Sequence, residues 1–468
     1  MTELPKGWAV ASLEDVCDLI QDCEHRTPKY SELGIPALRP RDVVGGRLDV
    51  GKAARVSEEE YSLQTRRYAP KPGDVVYSRE LSLGWAAKLP TERICLSQGM
   101  VALKPGPAAS ADYLVHFLNG PGRQLAVGAQ AGSAHPHLNL RDIRAMAVPV
   151  APAAEQERIV TVIEEAFSKL DAGEAGLRVV RQLLKRMRDA ILTAAVTGRL
   201  VPQDPTDTPA AKLLADLGVE AAEPDGVPEL PPSWAWTELG VIAEVVGGVT
   251  KDSNRQSDPS FVEVPYLRVA NVQRGFLDLG TITTIRVAPE KAAQLELQAG
   301  DVLFNEGGDR DKLGRGWVWE GQIASCIHQN HVFRARLSDG VEPKLVSIWG
   351  NTFGRGWFET RGKQTTNLAS LNLKTLKAFP VPIAPVEEQP RILSEVERQM
   401  SFLDACERAV DVGLALASGL RRSVLKAAFE GRLVPQDPSD EPATVMLERI
   451  RAERAAQPVA KRRARQTA

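Results

Sequence analysis

The sequence predicts an α+β fold: two similar mixed α/β domains separated by two long antiparallel coiled-coil helices, arranged as a pseudo-two-fold internal repeat. Three observations predict it. The first is the stretch EQERIVTVIEEAFSKLDAGEAGLRVVRQLLKRMRDAILTAAVTGR at 155–199, in which Ile159, Ile163, Ala166, Leu170, Gly173, Leu177, Val180, Leu184, Met187, Ile191 and Ala194 are spaced four and three residues apart without a break. That alternation keeps one narrow apolar seam on a helix and calls for a helical partner. The second is that the chain supplies the partner. VPVAPAAEQERI at Val148 is repeated as VPIAPVEEQPRI at Val381, and GRLVPQDPTDTPA at Gly198 as GRLVPQDPSDEPA at Gly431, both steps of 233 residues. The matching seam is Ile392, Val396, Gln399, Leu403, Cys406, Val410, Gly413, Ala417, Leu420, Val424 and Ala427. The third is a set of short apolar runs (GDVVYS, ICLSQGMVALKP, GDVLFN, HVFRARL) between Gly, Pro and Asp turns, which read as strands of about five residues.

A chain of 468 residues exceeds one ordinary core, so two or more domains are expected. The composition is 43% hydrophobic and 25% charged with a formal net charge of −2, which argues against a wholly basic nucleic-acid coat and leaves room for a local patch. No apolar run approaches the eighteen or so residues of a membrane span, and MTELPKGW lacks the basic and apolar regions of a secretory signal. Five scattered cysteines without a C-x-x-C pair suit a reduced cytoplasm.

Taken in order, residues 1–150 form the first globular domain and 151–199 the first long helix. A linker with a short helix occupies 200–229, the second globular domain 230–383, the second long helix 384–431, and a tail with a short helix 432–468. LPKGWAVASL at Leu4 is echoed by LPPSWAWTEL at Leu230, GIPALRPRDV at Gly34 by EVPYLRVANV at Glu263, PGDVVYSR at Pro72 by AGDVLFNE at Ala299, and HLNLRDI at His137 by SLNLKTL at Ser370. Sheet order is not readable from these echoes. Pro152 and Pro385 precede acidic first turns (Glu155; Glu387 and Glu388), where negative charge suits the helix dipole. Gly198 and Gly431 fall where a left-handed cap ends each helix, with Pro202 and Pro435 preventing continuation. Each helix is then roughly 43 residues, or about 64 Å. Gly173, Gly176, Gly413 and Gly419 weaken it by about 1 kcal/mol each, and allow either close helix approach or a local break. The short linker places the second domain near the far end of the first helix, so the helices are expected to run antiparallel with the domains at opposite ends.

The pattern P-x-x-E-Q-x-x-I opening a heptad helix, closed by G-R-L-V-P-Q-D-P and present twice, resembles the DNA-specificity (S) subunit of type I restriction–modification systems. So do the L-P-x-x-W starts and the G-D-V-hydrophobic strands, and the likeness covers essentially the whole chain. The resemblance implies two target-recognition domains, docking of two N6-adenine methyltransferase (M) subunits on the helices, and recruitment of a restriction (R) motor-nuclease subunit. S-adenosylmethionine is expected on the methyltransferase partner and no cofactor on this chain. Near-identity of the helices and tails beside divergent domains fits two equivalent docking surfaces and two different half-sites; recent duplication with faster drift in loops is the competing account. Duplex DNA repeats every 34–36 Å or so, so a bipartite, asymmetric target in double-stranded DNA is expected.

Base reading needs donors and acceptors, most often Arg on guanine and Asn or Gln on adenine. In the second domain the polar, glycine-rich NEGGDRDKLGRG offers Asn305, Arg310, Lys312 and Arg315, and RGKQTTN offers Arg361, Lys363 and Gln364. In the first domain the aligned segment offers Ser78 and Arg79, while Arg39, Arg41, Arg268, Asn271 and Arg274 follow the paired P-x-L-R strands. For any one of these the competing role is a solvated loop or an internal salt bridge. His135 and His137 are further DNA candidates. The repeat counterparts of His135-Pro136-His137 and His328-x-x-His331 are not histidines, so no metal site is expected. LPPSW lacks the Asn and the following aromatic of an adenine-methyltransferase motif, and NEGGDRDKLGRG lacks the G-K-[ST] of a phosphate loop. The expected role is therefore non-catalytic. The alternatives are a free-standing methyltransferase or nuclease with its own recognition domains, and a coiled-coil adaptor that never meets DNA.

Overall fold

The computed structural model describes residues 4–90, 93–129, 137–222, 224–252, 256–308, 312–361, 363–364 and 369–456. Chain contacts divide it into two compact units: Met1–Leu177 with Asp411–Ala468, and Arg178–Val410. Each unit therefore holds one globular part and a portion of each long helix. Both are mixed helix and sheet, and they repeat one plan. Among the described residues no helix is long and apolar enough to cross a membrane.

In the first unit the strand Ala9–Ser12 pairs antiparallel with Ala147–Val150, joining the chain start to the segment that leads into the first long helix. A four-stranded sheet follows, ordered Cys17–Asp22, Met100–Pro105, Val75–Ser78, Ala86–Lys88. A second sheet contains Ile35–Leu38, with Cys95–Leu96 parallel on one side and Ala54–Val56 antiparallel on the other. Met100–Pro105 shows no polar alternation because both of its faces are covered. Val101 and Leu103 enter one core with Tyr113 and Phe117, while Met100 and Ala102 enter another with Leu38 and Leu96.

The second unit has the same order. Ala235–Glu238 pairs with Pro380–Ile383, and a four-stranded sheet runs Ala243–Gly247, Val332–Leu337, Val302–Asn305, Gly316–Val318. Its second sheet has Val262–Leu267 between Thr283–Val287 and the parallel strand Ile327–His328.

The long helices run Ala153–Ala195 and Glu388–Phe429 without interruption, so the internal glycines do not break them. Only Gly413 is a close-approach position, where an added Cβ would lie 2.9 Å from Leu177; Gly173, Gly176 and Gly419 face open space. Gly198 and Gly431 hold φ of +69° and +66°, the left-handed cap that the sequence predicts. A side chain there would also strike the proline of the L-P-x-x-W segment, Pro231 or Pro5.

Within the first unit the start of the first helix packs on the end of the second: Ile159 and Ile163 share a core with Leu425, Ala428 and Phe429. In the second unit Ala195 shares a core with Ile392 and Val396. The pairing is antiparallel in each. The predicted seam needs a correction of phase. Leu184, Leu403 and Val410 are buried and Leu170, Leu177, Ile191 and Val424 half-buried, but Val180, Met187 and Leu420 are exposed. The inward line passes one residue later, through Phe167, Glu174, Arg188 and Arg421. Arg421 pairs with Asp171 (2.6 Å) and Glu174 (3.1 Å) against the Phe167 ring. In the second unit Arg188 pairs with Asp404 (2.5 Å) and Glu407 (3.4 Å). A straight helix drifts about 20° per heptad from a 3.5-residue repeat, which moves the seam off a purely apolar line. Long arginine stems then cover apolar surface while their heads find carboxylates.

Candidate functional site

Each helix start is closed by a buried carboxylate. Glu155 accepts from the Trp8 indole (3.0 Å) and the Gln436 amide (2.7 Å), and Glu388 accepts from Trp234 (2.9 Å) and Gln203 (2.7 Å). The next residues, Gln156 and Gln389, donate to the Ala151 and Ala384 carbonyls. The repeated E-Q, L-P-x-x-W and P-Q-D-P motifs are thus one latch built twice. Each latch joins a domain, the start of one helix and the tail that follows the other. Sequence reading alone gave the acidic residues a dipole role and missed the latch, because each carboxylate lies more than a hundred residues from the tryptophan and the glutamine that meet it.

Burial raises both carboxyls above their ordinary value near 4.5, opposed by the indole and amide hydrogen bonds. A carboxyl raised in the folded state binds its proton more tightly there. Its contribution to stability is complete below the unfolded value and is lost as pH rises through the folded one. A Glu155→Gln, Glu388→Gln chain is expected to lose less stability than wild type between pH 4.5 and 8, measured by urea midpoints. Greater destabilisation of the variant at pH 8 than at pH 4.5 would contradict this account.

In the first unit the turn after Ile35–Leu38, the exit of Val75–Ser78, the turn at 97–99 and His137 come together. Ser97 N–H donates to Leu38, Arg79 N–H to Gly99, and Leu138 N–H to Arg79, while Glu80 bridges to His137. Gly99, at φ +87°, allows this meeting: a Cβ would lie 3.0 Å from Pro40 and 3.1 Å from Glu80. Arg39 forms a two-point ion pair with Asp42 and lies 5.9 Å over the Tyr30 ring. Arg41 and His137 are exposed. Ser78 and Arg79 are not available as surface donors. Ser78 is buried with its hydroxyl on the Glu80 carbonyl, and Arg79 is buried against Asp22 at 3.1 Å. His135 lies outside the described residues.

The second unit gathers its three predicted segments in the same way. The Asn305 amide donates to the Val272 (2.8 Å) and Val269 (3.3 Å) carbonyls, and Arg315 donates to Val269 (3.2 Å). Gly307–Gly308 pairs with Ala369–Ser370, which pairs with Lys363–Gln364. Two candidates need correction here. Asn305 and Asn271 are buried, and Asn271 pins its own turn through Arg268 N–H and the Asp278 and Thr281 carbonyls. Polar residues at strand exits are needed to satisfy the backbone of the turns, and that need takes them inward. Arg268 and Lys312 are half-buried, and Arg274 donates to the Asn351 carbonyl. Arg361 is exposed over the Trp357 ring at 4.5 Å. Arg310 lies outside the described residues.

His328 is buried on the Val332 carbonyl, and burial pushes its pKa down to about 4; His331 instead stands at the surface beside Glu306.

One face of the helices is left uncovered. In the second unit Val179, Leu183 and Met187 form an exposed apolar stripe on the first helix, and in the first unit Val412, Leu416 and Leu420 do so on the second, all between 44% and 67% exposed. The i, i+4, i+8 spacing puts each set on one face. Every residue of one set lies 233 positions from its counterpart. Scattered exposed apolar residues need no explanation, but the same stripe made twice is not a scatter.

Each unit thus repeats one arrangement: a mixed domain, latched at a helix start, with an exposed apolar stripe on a long helix. The chain is similar over nearly its whole length to the specificity subunits of type I restriction enzymes. It is 24% identical to the EcoKI specificity subunit of Escherichia coli K12 across 97% of both chains. It is 25% identical to the EcoBI specificity subunit of Escherichia coli, covering 96% of this chain and 93% of that one. Against the StySPI specificity subunit of Salmonella potsdam it is 24% identical, with 97% and 96% covered. No family model matches. Two solved structures share the fold, each at 18% identity and covering 92% of this chain. One is a chain from a type I R-M system solved for its complex assembly and conformational transition, at a TM-score of 0.58 with 100% of it covered. The other is the HsdS subunit from Thermoanaerobacter tengcongensis, at 0.52 with 98% covered.

Proposed function

We propose that this chain is the non-catalytic DNA-reading subunit of a type I restriction–modification complex. Its two domains read the two halves of a bipartite, asymmetric duplex target, and its helices seat two adenine methyltransferase subunits. A restriction subunit joins the assembly. S-adenosylmethionine belongs to the methyltransferase partner, and the complex works in the cytoplasm.

The observation that carries this reading is the contrast between the repeats. The exposed helix stripes occur twice at one fixed step, as two copies of the same partner require. The strand exits differ: Ser78, Arg79 and Glu80 in one domain stand where Asn305, Glu306 and Gly307 stand in the other. Two different edges suit two different half-sites. Arg41 and Arg361 remain exposed for phosphate or guanine contacts, and those to phosphate set affinity and salt dependence without setting sequence.

The test is to purify the chain alone and together with a methyltransferase subunit encoded beside it. Site-specific N6-adenine methylation is expected only in the mixture, with two methyltransferase copies per chain. Methylation or cleavage by the purified chain alone would overturn the reading.

A further inference from the structure

A carboxylate–imidazole pair stands at the exit of the central strand in each unit. In the second unit His331 Nδ1 lies 2.5 Å from Glu306 Oε2, with side chains 54% and 26% exposed. In the first, His137 Nδ1 lies 3.0 Å from Glu80 Oε1, with side chains 44% and 29% exposed. The pairs are not copies of one another. Along the G-D-V strands Glu306 aligns with Arg79, and Glu80 aligns with Gly307. Glu80 reaches His137 across a β-bridge, whereas Glu306 N–H donates to the carbonyl of His331 at the turn before Val332–Leu337. Duplication therefore does not account for finding the same two groups at the same place twice.

Stability does not account for it either, because a partly exposed ion pair is screened by solvent and contributes little. An edge that only touches the DNA backbone gains nothing from a carboxylate, which the phosphates repel. The base-edge groups of duplex DNA that donate to a carboxylate are exocyclic amines: cytosine N4 and adenine N6 in the major groove and guanine N2 in the minor groove. The imidazole faces its carboxylate through Nδ1 and so orients it; in the second unit the Asn330 amide adds a third polar group 3.3 Å from His331 Nε2. The buried neighbours, Arg79 against Asp22 and Asn305 against the 269–272 turn, tie the strand exits beside the pairs to neighbouring segments.

We infer that Glu306 with His331, and Glu80 with His137, are base-reading pairs, each carboxylate accepting from an exocyclic amine in its own half-site. The inference rests on the DNA-reading function proposed above. It is tested by mapping the sequences methylated by the reconstituted complex with wild type, Glu306→Gln, His331→Gln and Glu80→Gln. Glu306→Gln is expected to reduce discrimination at one base of one half-site by roughly 5- to 150-fold, leaving the other half-site unchanged. His331→Gln, a change at an exposed side chain, is expected to relax the same base. Glu80→Gln is expected to relax one base of the opposite half-site. Unchanged sequence preference, or a uniform loss across all sequences, overturns the inference while leaving the wild-type function intact. A wild-type complex that methylates without sequence preference sinks both.

Discussion

A chain carrying Leu183→Glu is expected to bind one methyltransferase subunit instead of two, and a chain carrying both Leu183→Glu and Leu416→Glu to bind none. Both leucines are largely exposed on uninterrupted helices, so the unpartnered chain should fold as wild type does, within about 0.5 kcal/mol. In the complex each would be covered. A fully covered leucine contributes about 1.5–3 kcal/mol, and a carboxylate buried in its place without a partner weakens docking further. The combined effect is a loss of affinity of a hundredfold or more at that site. Native mass spectrometry of the mixture reads the copy number directly. Two copies retained on the doubly substituted chain would rule out these stripes as the docking faces.

Ile163→Ala and Leu403→Ala are each expected to destabilise the unpartnered chain by about 2–5 kcal/mol, because both side chains are buried where the long helices pair. Met187→Ala and Leu420→Ala should leave the same measurement within about 0.5 kcal/mol and weaken methyltransferase binding instead. A heptad reading of the sequence puts all four residues in one seam and predicts four similar losses. Urea unfolding of the four variants separates the two accounts, and equal losses would restore the original phase of the seam.

Much of the architecture is legible in the sequence. The step of 233 residues fixed the duplication, and the acidic starts and glycine ends bounded the helices to within a few residues. The caps at Gly198 and Gly431 needed only local chemistry. The seam phase did not follow in the same way. Leucine, valine and methionine are equally at home on a buried seam or a docking face, and only the packed pair shows that Arg188 and Arg421 point inward. The strand-exit candidates failed for a related reason. Asn271, Asn305, Ser78 and Arg79 are the residue types that read bases, and equally the types that satisfy buried turns.

What the sequence determined by itself was everything encoded in spacing: the repeat, the helix lengths and the strands. Tertiary structure alone decided which polar groups turn inward, how Trp8, Glu155 and Gln436 meet, and which apolar residues remain uncovered. The physical reason is that spacing acts along the chain within a few residues. Burial and hydrogen-bond satisfaction depend instead on neighbours that only folding brings within reach.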